Sequence, residues 1–340
     1  MPSKNPKIQF IAEISGNHLG KIDRAKELIK AAADSGATAV KFQTYTADTM
    51  TLNLDKFKVT SGHDLWGGKK LYELYEEAHT PWEWHEELFE LCRKLEVTPF
   101  SSPFDVTAVN FLESLNVTMY KIASLETSDH LLIKSVAGTG KPIIISTGAT
   151  EWQEIEELVE VVKKSGNKNL TLLLCTSSYP ADPLDANLNR ISLLKKHFGV
   201  DIGLSDHTLG IGVSVAAIAL GATVIEKHLT LKRSDGGPDA AFSMEPNEFR
   251  ALVEAGTAAY ESLGDNEWKL NASEAESRRL RRSLYIVSDV KKGDLITNQN
   301  LRAIRPGDGC SPKYTELLLG KYYKNDYLLG TPMDISYASE

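Results

Sequence analysis

The chain has 340 residues, 42% of them hydrophobic and 25% charged, with a formal net charge of −8. This is longer than one ordinary domain and has the composition of a soluble globular protein. The acidic balance argues against a nucleic-acid or membrane-surface partner, since both favour basic patches.

Short apolar runs predict strands over 8–14, 37–43, 97–100, 117–121, 142–146, 170–175, 201–204 and 223–227. Between them, apolar spacings of three and four predict helices over 23–34, 82–95, 151–164 and 211–220, with a last one over 247–262. Eight strand–helix alternations predict an α/β fold, a (β/α)₈ TIM barrel over residues 1–265. An open doubly wound sheet is the competing architecture. Against it, the first strand is followed by Ser-Gly-Asn-His-Leu-Gly rather than by a glycine-rich dinucleotide fingerprint. The connection from 44 to 80 is unusually long and carries Trp66-Gly67-Gly68 and a helical pattern near 71–78, where barrel enzymes build lids. Residues 266–282 turn polar, then charged with four arginines, and read as a linker. Residues 283–340 read as a separate small domain of short strands and turns.

Cys92, Cys175 and Cys310 match no zinc or redox spacing and read as reduced structural thiols. The N-terminal nine residues lack the apolar centre of a signal peptide, and no run approaches a membrane span. A cytoplasmic location is expected.

Barrel enzymes carry their chemistry at the C-terminal ends of the strands. Here those ends supply Glu13, Lys41 with Gln43, Ser102, Lys121 with Ser124 and Glu126, Ser146, Tyr179, Ser205 with His207, and His228. Strand alternation puts Lys41 and Gln43 on one face, and Glu226 and His228 likewise. Lys41, Lys121, Ser102, Ser124, Ser146 and Ser205 together suit an anion carrying phosphate and carboxylate, although each serine alone could be a helix cap. Ser146-Thr147-Gly148 also precedes a helix closely enough to offer backbone N–H groups. His207 and His228 end neighbouring strands and could share one divalent metal, or be two hydrogen-bonded barrel histidines. Glu13, Glu126 and Asp239 are candidates for acid–base work or for holding hydroxyl groups. Asn17 and His18 read as braces of the first loop; His63, His79, His85, His130 and His197 read as surface or helix residues.

These residues fall in Ala-Glu-Ile-Ser-Gly-Asn-His-Leu-Gly (12–20), Val-Lys-Phe-Gln-Thr (40–44), Phe-Ser-Ser-Pro-Phe (100–104), Tyr-Lys-Ile-Ala-Ser (120–124), Ile-Ser-Thr-Gly (145–148), Gly-Leu-Ser-Asp-His-Thr (203–208) and Ile-Glu-Lys-His (225–228). Over essentially its whole length the chain resembles the sialic acid synthase family. Residues 283–340, with Arg305-Pro306-Gly307-Asp308-Gly309, resemble the antifreeze-like (SAF) domain that family carries. The resemblance implies a condensation of phosphoenolpyruvate with an N-acylated amino sugar. It implies Glu13, Lys121, His228 and Arg305 as catalytic residues, with Glu13 in an acid–base role. Lys41, Ser102, Lys121, Ser124, Ser146 and Ser205 would hold phosphoenolpyruvate, and Gln43, Glu126, Tyr179 and Asp239 would face the sugar. His207 and His228 would hold Mn²⁺ or a similar ion. Arg305 would reach a partner's barrel in a domain-swapped homodimer. Ser177 stands where the family often has Asn, so no amide role is carried to it.

Asp64-Leu65-Trp66, the run 71–85 and Cys-Thr-Ser-Ser-Tyr-Pro (175–180) resemble the subgroup that takes a 2,4-diacetamido-2,4,6-trideoxy-L-altrose. Sialic or legionaminic acid synthesis with the same chemistry, and a non-catalytic carbohydrate-binding protein, are the rival expectations.

Overall fold

The computed structural model describes residues 8–59, 66–265 and 267–340; His63, Asp64 and Leu65 lie outside them. The chain divides into two compact units, Met1–Gly264 and Asp265–Glu340.

In the first unit eight parallel strands close into a barrel: β1 (Gln9–Glu13), β2 (Ala39–Thr44), β3 (Thr98–Pro103), β4 (Tyr120–Ile122), β5 (Ile143–Ser146), β6 (Leu170–Cys175), β7 (Asp201–Ser205) and β8 (Val224–His228). Closure through β1 and β8 excludes the open sheet. The principal helices are α1 (Ile22–Asp34), α2 (Ala47–Met50), α3 (Leu71–Ala78), α4 (His85–Lys94), α5 (Val106–Ser114), α6 (His130–Gly138), α7 (Trp152–Lys164), α8 (Arg190–Phe198), α9 (Gly212–Ala219) and α10 (Pro246–Ser262). In α7, Ile155, Leu158, Val159 and Val162 recur at helical spacing and are buried on the sheet. Its start is a reciprocal Glu151–Glu154 capping box, and Lys163 and Lys164 complement the dipole at its end.

The barrel interior is layered. Ile11, Ala39, Phe100, Ile144, Leu173 and Val224 form a packed apolar floor, with Met119 against it. Two residues further along the same strands, and so on the same inward face, stand Glu13, Lys41, Ser102, Lys121, Ser146, Cys175 and Glu226. The register fixes their neighbours: Glu13 lies beside both Lys41 and His228, and Ser205 lies beside both Cys175 and Glu226. Gly203 occupies the inward position of β7 because a Cβ there would come within 2.4 Å of the Val224 carbonyl oxygen.

The second unit packs two antiparallel pairs. β9 (Ser283–Ile286) joins β10 (Leu301–Ile304), and Tyr322–Tyr323 joins Ala338–Ser339. Its core is Leu284, Ile286, Val290, Ile296, Leu301, Leu318, Tyr323 and Met333. The stretch expected to be a linker holds a helix, α11 (Ala272–Arg278), none of whose residues is buried. An Asn271–Glu274 capping box starts it, so local capping makes a helix without core contact.

Candidate active site

The C-terminal strand ends open into a cavity of about 360 Å³. Lys41, Gln43, Lys121, Ser124, Glu126, Ser146, Tyr179, Ser205, His207, His228 and Asp239 all line it. Glu13 and Ser102 share the layer of Lys41 and contact it from the side: Lys41 Nζ lies 2.7 Å from Glu13 Oε2 and donates to Ser102 Oγ at 3.4 Å. Arg305 is an exposed residue of the second unit.

The base of the cavity is a buried charge cluster. Glu226 Oε1 lies 3.2 Å from Lys41 Nζ and 3.4 Å from Lys121 Nζ. Burial opposes ionisation of Glu226, but Lys121 and Lys41 outweigh it and hold its pKa below the usual range. Burial likewise opposes the Lys41 ammonium, yet Glu13 and Glu226 keep it charged, with its pKa raised. For Lys121 burial prevails and lowers the pKa. Glu13 is the carboxyl pushed up by burial, against the pull of Lys41. Ser146 Oγ, Glu226 Oε2 and Glu126 Oε2 are buried without a hydrogen-bond partner among the described residues. Orphan groups of this kind in a cavity are binding capacity held for a ligand. Burial raises the Glu126 carboxyl to about 7, against Lys121.

Gly148 N donates to Ser124 Oγ at 3.0 Å. A Cβ at Gly148 would come within 2.2 Å of Ser177 Oγ and 2.9 Å of Ser124 Oγ, so a larger residue there would displace both hydroxyls.

His207 and His228 face each other with ring centroids 5.5 Å apart. The His207 Nδ1–H donates to the Thr176 carbonyl at 3.0 Å. Ser15 gives its hydroxyl proton to Asp239, so at 3.2 Å it accepts from the His228 Nδ1–H. His228 therefore presents an Nε2 lone pair, and His207, whose pKa is raised against burial by its Cys175 and Thr176 contacts, presents one in its neutral form, the tautomer a metal requires. Burial, then the charges of His207 and Lys41, hold His228 well below the usual histidine pKa and keep it neutral. Among the described residues no group of three or more His, Cys, Asp or Glu is arranged to hold an ion. The donor set fits a two-imidazole site whose remaining positions go to water and substrate.

One residue differs from its sequence reading, and two others make contacts that reading did not include. Cys175 is not an inert thiol of the core: it lines the cavity with Sγ 4.0 Å from His207 Nδ1. Burial pushes its thiol up, but the His207 hydrogen bond brings it down to about 7. His85, read as a surface or helix residue, begins α4 but is fully buried, with Nε2 2.8 Å from Thr44 Oγ1. Glu226, read from strand parity as half of an inward-facing pair with His228, also ties both lysines together. Asn17 and His18 do brace loops: Asn17 Nδ2 donates to Leu229 O and Ser243 Oγ, and His18 Nδ1 accepts from Gly20 N.

A TIM barrel whose strand ends gather paired lysines, buried carboxylates and two facing imidazoles defines an enzyme built to handle an anionic substrate. Residues 28–268 match the NeuB family and residues 281–332 the SAF domain. The pseudaminic acid synthase of Helicobacter pylori is 44% identical over 96% of this chain and 96% of its own. The N,N'-diacetyllegionaminic acid synthase of Campylobacter jejuni is 38% identical over 95% of this chain and 99% of its own. The crystal structure of the N-acetylneuraminic acid synthetase of Leptospira borgpetersenii, in complex with citrate, superposes with a TM-score of 0.72 at 34% identity, covering 80% of this chain and 90% of that one. This chain belongs to the NeuB family. It is a phosphoenolpyruvate-dependent enzyme that forms carbon–carbon bonds in nonulosonic acid synthesis, and membership implies dependence on a divalent metal.

Proposed function

We propose that this chain is a pseudaminic acid synthase. It condenses phosphoenolpyruvate with 2,4-diacetamido-2,4,6-trideoxy-β-L-altropyranose and water, giving pseudaminic acid and phosphate. The observation that carries the phosphoenolpyruvate half is the pair Lys41 and Lys121 at the cavity base, with the orphan Ser146 hydroxyl beside them. The altrose half is supported by the higher identity to the Helicobacter enzyme, 44% against 38% for the legionaminic one, and by the motifs at 71–85 and 175–180.

Lys41 and Lys121 hold the carboxylate and phosphate, with Ser102, Ser124, Ser146 and Ser205 as hydroxyl partners. Gln43, Glu126, Tyr179 and Asp239 face the sugar. A divalent ion on His207 and His228, Mn²⁺ in this reading, supplies a Lewis acid for the sugar aldehyde. The enol carbon bonds to the aldehyde carbon, and the aldehyde oxygen gains a proton and becomes a hydroxyl. Water adds to the carbon that carried phosphate, and phosphate leaves by C–O cleavage. In this reading Glu13 does acid–base work, and Glu126 and Asp239 are the other carboxyl groups available to move protons.

The same reading includes a cytoplasmic, domain-swapped homodimer in which Arg305 of the partner subunit completes the site. Leu125, Leu184 and Leu209, which follow β4, β6 and β7, are 72%, 87% and 61% exposed. Exposed leucines in these loops suit a surface covered by protein, and Leu125 lines the cavity itself. Among the described residues no helix is long and apolar enough to cross a membrane.

A panel of the altrose, its manno-configured diastereomer and N-acetylmannosamine, each with phosphoenolpyruvate and Mn²⁺, tests the assignment by phosphate release. The altrose should give the highest kcat/KM; a faster reaction with either other sugar overturns it. Chelation should abolish turnover and Mn²⁺ restore it, whereas full activity of verified metal-free enzyme removes the ion from the scheme.

A further inference from the structure

The long connection after β2 has a use that its helix declares. Leu71, Leu74, Tyr75 and Ala78 of α3 recur at i, i+3, i+4 and i+7, and all four line the cavity. Glu73, Glu76 and Glu77 fall between them and are exposed. In a barrel helix such a stripe normally packs on the sheet. Here no residue of α3 is fully buried. Met50 and Val59 from the same connection, and Phe104 after β3, continue the apolar surface.

Aromatic contacts stiffen this wall. Tyr45 meets Phe104 edge-on at 5.1 Å and Tyr75 at 5.8 Å. Trp66 Nε1 donates to the Pro238 carbonyl at 2.9 Å, which ties the connection to the segment carrying Asp239. The wall is therefore a built surface.

We propose that the α3 wall is a specificity element that selects acceptor sugars ending in a methyl group over those ending in a hydroxymethyl group. This rests on the reading of the lysines as the phosphoenolpyruvate end and of the second reactant as an N-acylated amino sugar. The aldehyde carbon must meet the enol carbon at the cavity base. The sugar's carbon chain then runs toward the mouth, and its last carbon meets residues that lie beyond the strand ends. Met50, Leu71, Leu74 and Ala78 have no side-chain hydrogen-bonding group for a terminal hydroxyl, which would lose its water there without replacement. A methyl group gains by the same burial. The acetamido methyls of a diacetamido sugar are matched to the wall for the same reason.

The test uses the full-length protein with the three sugars named above. Two of them are 6-deoxy and differ in configuration; N-acetylmannosamine carries the hydroxymethyl. In Leu74→Asn, the kcat/KM ratio of the preferred 6-deoxy sugar to N-acetylmannosamine should fall roughly 10-fold or more. Leu71→Asn should do the same, and Leu74→Met should keep the wild-type ratio. Equal losses for all three sugars would make the wall merely structural and overturn the proposal, as would an unchanged ratio in both Asn variants. Should one Asn variant fail to fold, the other decides. A wild-type preference for the manno diastereomer defeats the altrose assignment while leaving the wall's role standing, because both sugars end in a methyl. A wild-type preference for N-acetylmannosamine overturns the wall.

Discussion

Glu126 shows how the fold sets the chemistry of one side chain. Its carboxyl is raised from 4.5 to about 7. Between those values the folded protein holds a proton that the unfolded chain has released, so stability falls as pH rises through this window. Replacement by Gln removes the dependence. From pH 4.5 to 7 the wild type should lose roughly 3 kcal/mol relative to Glu126→Gln, read from urea unfolding at each pH. A constant difference across that range would show that the carboxyl titrates normally. At this scale the sequence was informative about identity and poor about partnership. Lys41, Lys121, His207 and His228 stood out because charged residues at strand ends are unusual in a barrel without chemistry. Cys175 did not, nor did the lysine partners of Glu226, because a thiol's pKa and a carboxylate's partners are set by neighbours on other strands, 32 residues away for the Cys175–His207 contact.

At the scale of elements, the turn after β7 is held by a buried pair. Lys227 Nζ lies 3.0 Å from Asp206 Oδ2 and also donates to the carbonyls of Thr208 and Gly210. Asp206 also accepts from Thr208 N and Ser214 Oγ. His207 lies inside this network, so its ring is aimed by groups that never reach the cavity. Lys227→Met leaves the Asp206 charge buried and should cost about 3–5 kcal/mol of unfolding free energy by chemical denaturation. A loss below about 1 kcal/mol would mean that water reaches Asp206. The eight strands were legible from apolar runs to within three residues at each end; β6 matched at both ends, and β3 and β4 were the poorest, β4 expected over 117–121 and observed as Tyr120–Ile122. The α3 stripe was seen as a helix, but its direction was not, since periodicity reports an apolar face without saying what it faces. The helix α11 was missed because it has no apolar stripe at all; only its capping box announced it.

For the whole molecule, the two compact units divide the candidate residues unequally: Arg305 alone comes from the second. Arg305→Ala should cut turnover by roughly 10²-fold or more, with the circular dichroism of the barrel unchanged. Mixing it with His207→Ala should restore part of the activity if subunits exchange. A monomer by light scattering, fully active, would remove the swapped dimer from the picture. The separate second unit was legible from the polar stretch before it, whereas the lid's apolar wall was not, because it exists only where β2, β3 and β8 connections converge.

The half-covered stripe of α3 has a dynamic consequence. A helix of eight residues with no fully buried side chain is held by edge contacts such as Tyr45–Tyr75, so its amides should exchange with solvent through local opening below the cost of global unfolding. A sugar seated on Leu71, Leu74 and Tyr75, as proposed, would supply the missing cover. Deuterium uptake across 71–78 should therefore slow when the amino sugar is added together with phosphoenolpyruvate, and change little with phosphoenolpyruvate alone. The helix would then act as a timer of occupancy, ordered for as long as the acceptor remains bound.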